Sequence, residues 1–190
     1  MATSTAPPPA TPPLGFQALW VNYPSQDPCV NPVTRKKAYD DQCAIRLGMA
    51  LQKSGVSFAS FPGPRCDFAP KGNGMVLRAE ELAAWLQSRP FPGCPAAQVL
   101  PGKGFQKFLA GRTGIAFFED YWFRAENKKY PTGDYIDLWN RDRLTPSFET
   151  FARFSLGISR MPSLNPFGPA NQSWWSDLEN SRTVKFWAIA

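Results

Sequence analysis

Amphipathic helical segments fill the first half of this chain and runs of aromatic and branched residues fill the second, an order that limits the folds open to it. Residues 40–55, DDQCAIRLGMALQKSG, place Leu47, Ala50 and Leu51 at i+4, i+7 and i+8 from Cys43, the spacing of one helix face. Asp40 or Asp41 is a candidate N-cap, and Ser54-Gly55 a stop signal. RAEELAAWLQS (78–88) repeats the pattern with Leu82, Trp85 and Leu86, and GFQKFLAG does so with Phe105, Phe108 and Leu109. GIAFFED (114–120), YIDLW (135–139) and VKFWAI (184–189) have strand composition and length. Helices followed by strands predict an α+β class, with an N-terminal helical part packed on an antiparallel sheet.

The 190 residues are 43% hydrophobic, enough for one domain with a substantial core. Twenty prolines and fourteen glycines fall between the periodic segments, which predicts many irregular connections. The first residues, MATSTAPPPATPPL, read as an extended Pro-rich tail over 1–14, leaving 15–190 as the folded domain. That start has neither a charged n-region nor an apolar h-region, so synthesis in the cytoplasm without a signal peptide is expected. No run is long and apolar enough for a membrane partner. The net charge of +6 is scattered. Its densest runs, Arg35-Lys36-Lys37 and Lys128-Lys129, read as solvated surface without a nucleic-acid motif, although a basic protein is also drawn to anionic polymers such as cell wall.

Chemistry is narrowed by what is absent. The chain has no histidine, and its four cysteines, Cys29, Cys43, Cys66 and Cys94, form no C-x-x-C pair, so neither a metal site nor a cofactor is expected. Cys29, Cys66 and Cys94 lie in Pro/Gly-rich loops where a disulfide can form, with the pairing open. Cys43 stands in the first turn of its helix, where backbone N–H groups stabilise a thiolate and a developing oxyanion. On that basis Cys43 is expected to be the thiol most easily alkylated. A small core cysteine at a helix start fits the same residues. In YIDLW, period two puts Tyr135, Asp137 and Trp139 on one face, opposite Ile136 and Leu138. Asp137, Trp139 and Asn140 are groove candidates because they share the strand with Tyr135. Packing for Trp139, Trp174, Trp175 and Trp187, and turn satisfaction for Asp137 and Asn140, are the competing readings.

The segments WVNYPSQDPC, DQCAIRLGMALQKSG, VLRAEELAAWL, GRTGIAFFEDYW, GDYIDLWNRDRLT and WWSDLENSRTVKFWAIA together resemble, in order, the type VI secretion amidase effectors of the fourth family. The resemblance runs from about Trp20 to the C-terminus, and its C-x-I-R helix and I-D-L-W-N strand are distinctive. It implies a papain-like fold and an antibacterial toxin. Such a toxin cuts the peptidoglycan stem peptide between D-glutamate and meso-diaminopimelate after the type VI apparatus delivers it to a rival's periplasm. A cognate immunity protein is the further partner implied.

By the family pattern Cys43 is the nucleophile, and the residue before I-D-L-W-N is the histidine base; here that residue is Tyr135. A phenol with an ordinary pKa of about 10 does not take a thiol proton near neutral pH as imidazole does. The acid that the family places downstream to orient the histidine has no counterpart in Leu144-Thr145-Pro146-Ser147, and Asp142 and Glu149 are the nearest acids. Three explanations stand at this point. The chain is a natural pseudo-amidase that binds stem peptides or an immunity protein, an inactivated variant in which one base change turned histidine into tyrosine, or an enzyme that uses another base such as Asp134 or Asp137.

Overall fold

The structure, a computed structural model, describes residues 13–39, 41–70, 72–122, 133–145 and 178–190. Among these residues four α-helices, α1 (Phe16–Asn22), α2 (Cys43–Lys53), α3 (Ala79–Gln87) and α4 (Phe105–Leu109), accompany strands β1 (Gln98–Pro101), β2 (Arg112–Trp122), β3 (Gly133–Arg141) and β4 (Thr183–Ala188). The strands form one antiparallel sheet in the order β1-β4-β2-β3. This is the expected α+β arrangement of helices on an antiparallel sheet. α1 and β1 were not anticipated, being short and without a full apolar period. The tail expected over 1–14 lies almost wholly outside the described residues, as do Lys128, Lys129, Glu149, Trp174 and Trp175.

Alternation in the strands divides the interior in two. Ile115 and Phe117 of β2, Ile136 and Leu138 of β3, and Trp187 of β4 meet Leu47 and Leu51 of α2 and Leu82 and Leu86 of α3. The opposite face carries Ala116, Phe118, Trp139, Val184 and Phe186, covered by Phe105 and Leu109 of α4 with Leu144 and Leu178. Each large aliphatic or aromatic side chain buried there contributes about 1.5–3 kcal/mol. Both faces of β3 are therefore interior, which corrects the expectation of one buried face and one furnished groove. Phe108, expected on the buried stripe of α4, is exposed, because so short a helix presents little more than Phe105 and Leu109 to the sheet.

α2 is held at its middle by a backbone contact that tolerates no side chain. A Cβ on Gly48 would run into the carbonyl of Gly74, and one on Gly74 would run into that of Gly48. The helix thus lies against the loop carrying Cys66 and Met75, with its first turn aimed at β3. It begins at Cys43 with Gln42 as N-cap, and no side chain caps it. Asp41, one of the two expected caps, is exposed; the other, Asp40, lies outside the described residues.

Candidate functional site

The site forms where the start of α2 meets β3, an edge strand among the described residues. In an antiparallel pair alternate backbone N–H groups point away from the partner strand. Along β3 those of Ile136, Leu138 and Asn140 do so. The Ile136 N–H points to the Cys43 sulfur, the Leu138 N–H donates to Asp137 Oδ1 at 2.7 Å, and the Asn140 N–H donates to the Arg143 carbonyl at 2.7 Å. Among the described residues the strand edge is closed by side chains and a turn, not by another strand.

Asp137 is fully buried, and its carboxylate is the hub. The Tyr135 hydroxyl donates to Oδ2 at 2.8 Å. Thr145 Oγ1 lies 2.9 Å from Oδ1 and 2.7 Å from Oδ2, sharing one proton between them. Tyr23, from the loop after α1, interacts electrostatically with the same carboxylate. Burial raises the Asp137 carboxyl above its usual range, and the donors around it only partly offset that cost. Its charge in turn joins burial in holding the hydroxyls of Tyr135 and Tyr23 well above the ordinary phenol pKa.

Cys43 is half-buried and interacts electrostatically with both tyrosines. Its thiol is pushed up to about 12, chiefly by burial and further by Asp41 and Asp137. The backbone N–H groups of Ile136 and Ala44 pull the other way, and lose. This reverses the expectation that the helix N-terminus leaves Cys43 acidic. The dipole effect is worth about 0.3–1 kcal/mol when exposed, less than the desolvation of a thiolate beside a buried carboxylate.

The loop between α1 and α2 grips this corner at three places. Tyr23 enters the hub, and Asp27 Oδ1 pairs with Arg46 Nη2 at 2.7 Å. Cys29 receives both ends of the Gln42 amide: its N–H donates to Oε1 at 2.9 Å and its carbonyl accepts from Nε2 at 3.0 Å. Cys29 is disulfide-bonded to Cys66, with Cα atoms 6.0 Å apart, which fixes the pairing left open by the sequence. Cys43 and Cys94 are the free thiols, and burial also raises Cys94, to about 11.

Sequence reasoning singled out Cys43, Tyr135 and Asp137, and these three come together. Trp139 does not join them. It is 1% exposed in the α4-side core and donates its indole N–H to the Leu109 carbonyl at 2.8 Å, so packing explains it and the groove assignment does not. Asn140 closes the turn at the far end of β3 and lines a separate recess with Phe16, Thr113 and Arg143. Asp142 is exposed in that turn. Tyr23, Thr145, Gln42 and Arg46 went unassigned. The C-x-I-R spacing, which puts Arg46 one turn from Cys43, was the available signal for the last.

A model of the Tae4 family, type VI secretion system amidase effector protein 4, matches residues 39–187. The chain belongs to this family. Its fold is similar to Tae4 from Salmonella typhimurium, solved in complex with the immunity protein Tai4 from Enterobacter cloacae, with a TM-score of 0.58 over 93% of this chain and 99% of that one, at 14% identity. Tae4 from Enterobacter cloacae is similar to the same degree, with a TM-score of 0.56 over 95% and 98% of the two chains at 14% identity. Tae4 in the Tae4–Tai4 complex from Salmonella Typhimurium gives 0.58 over 95% and 100% at 12% identity. No curated protein matches the sequence. The papain-like amidase fold of the Tae4 proteins is thus the fold of this chain, although so few residues are shared.

Proposed function

We propose that this Tae4-family chain engages the peptidoglycan stem peptide at the corner formed by Cys43, Tyr23 and Tyr135. Hydrolysis of the D-glutamate to meso-diaminopimelate bond is impaired by the tyrosine at 135. The observation that carries the reading is the Tyr135 hydroxyl donating to buried Asp137 beside the start of the Cys43 helix. In amide cleavage the Cys43 sulfur attacks the carbonyl carbon, its proton passes to a base, and the leaving amine takes that proton as the C–N bond breaks. Water then hydrolyses the thioester. A hydroxyl whose proton is committed to a carboxylate is a poor acceptor, and a thiol near pKa 12 holds its own proton. The binding surface persists while proton transfer stalls.

Asp137 fits the role of orienting acid. An imidazole at 135 would find a carboxylate already fixed by Thr145 and Leu138, as a catalytic imidazole requires. The type VI apparatus is the delivery route, into the periplasm of a rival cell. A cognate immunity protein is the partner, in keeping with the Tai4-bound relatives.

Digestion of purified sacculi followed by muropeptide analysis tests the reading. Tyr135→His raises cleavage at the D-glutamate to meso-diaminopimelate bond by at least about a hundredfold, and Cys43→Ala added to it abolishes the gain. A folded Tyr135→His protein without product favours a pseudo-amidase that only binds.

A further inference from the structure

The C-x-I-R helix carries a second side chain into the site. Arg46 follows Cys43 at i+3 and so lies on the same face of α2, one turn along. Its side chain is 21% exposed, and its guanidinium is tied through Nη2 to Asp27. It interacts electrostatically with Tyr23 and Tyr135, the tyrosines that flank Cys43. Nε and Nη1 have no hydrogen-bond partner among the described residues. A half-buried guanidinium with one side of its donor fork unspent, one helical turn from the nucleophile, is built to receive a planar anion.

We propose that Arg46 is a specificity-determining residue that holds the free α-carboxylate of the γ-linked D-glutamate next to the scissile bond, so that the site selects unamidated stem peptides. The proposal rests on the stem-peptide reading above. In the substrate three aliphatic carbons join that carboxylate to the γ-carbonyl under attack, a short span on the scale of the roughly 4.5 Å rise between residues three apart on a helix. Asp27 keeps the fork in place, and the carboxylate takes the remaining donors. An amide there would present an N–H₂ group to a donor-only guanidinium and lose the charge assistance.

Binding to the chain as it stands separates this from the functional reading. Isothermal titration with L-Ala-γ-D-Glu-meso-diaminopimelate and with its D-isoglutamine counterpart should show the carboxylate form binding about tenfold to a hundredfold more tightly. Arg46→Gln should remove that preference. Asp27→Asn, which breaks the ion pair but leaves the guanidinium, should keep it. Equal binding of the two peptides, a preference surviving in Arg46→Gln, or its loss in Asp27→Asn to the same extent overturns the role of Arg46 while the stem-peptide reading stands. Binding of neither peptide overturns both.

Discussion

Asp137 brings a carboxylate into the interior with hydroxyls and one backbone N–H for company, and its pKa rises because these do not replace what water supplied. The sign of the consequence is fixed. A carboxyl whose folded pKa exceeds its unfolded value favours folding most below the unfolded pKa, and that contribution is lost as pH rises through the folded one. Asp137→Asn, in which the tyrosine hydroxyls can rotate to accept from the new amide, should therefore gain stability on the parent as pH rises above about 4, the unfolded carboxyl value. Urea unfolding across that range reads it, and a gap that narrows with rising pH contradicts it. Cys43 obeys the same logic as an acid. Its iodoacetamide labelling should remain slow at neutral pH and accelerate toward about pH 12, and a midpoint at or below the ordinary thiol value would refute the account.

The loop from Tyr23 to Cys29 and helix α2 act as one element, because each turn of the helix start is tied to a different loop residue. The Cys29–Cys66 bond anchors that loop to the segment beyond α2, across a separation of 37 residues. Replacing both cysteines by alanine should cost about 2–4 kcal/mol and should speed Cys43 labelling, since Gln42 and Tyr23 lose their fixed backbone. Labelling at the parent rate in a destabilised variant would mean that the loop does not control access to the thiol. The Gly48–Gly74 contact sets the other end of the lever. Gly48→Ala should cost about 1–3 kcal/mol by forcing the helix off the loop, measurable as a lowered midpoint in denaturant.

At the scale of the whole molecule, one sheet is shared by two cores, so the helix layer and the α4 layer cannot come apart without exposing the strands between them. Leu47→Ala on one side and Phe186→Ala on the other should each cost about 2–5 kcal/mol. Both should shift a single unfolding transition. Two resolved transitions, with each substitution moving its own, would show that the cores fold independently.

Much of this architecture is local and therefore written in the sequence. The stripes of α2 and α3, the alternation of β2, β3 and β4, and the order of helices before strands depend on periodicities that each segment carries alone. The motifs around Cys43 and Tyr135 were legible for the same reason, and they sufficed to point to the family. What the sequence did not contain was the outcome of competition between distant groups. Whether the start of α2 lowers the Cys43 pKa depends on how deeply the turn is buried and on Asp137, 94 positions away by numbering (137 − 43). The partner of Cys29, the orienting contact of Tyr135 and the arrival of Tyr23 and Thr145 at one carboxylate are likewise decided only when the chain closes on itself. Long-range packing sets the desolvation that outweighs the local dipole, and neither Cys43 nor its helix encodes it alone.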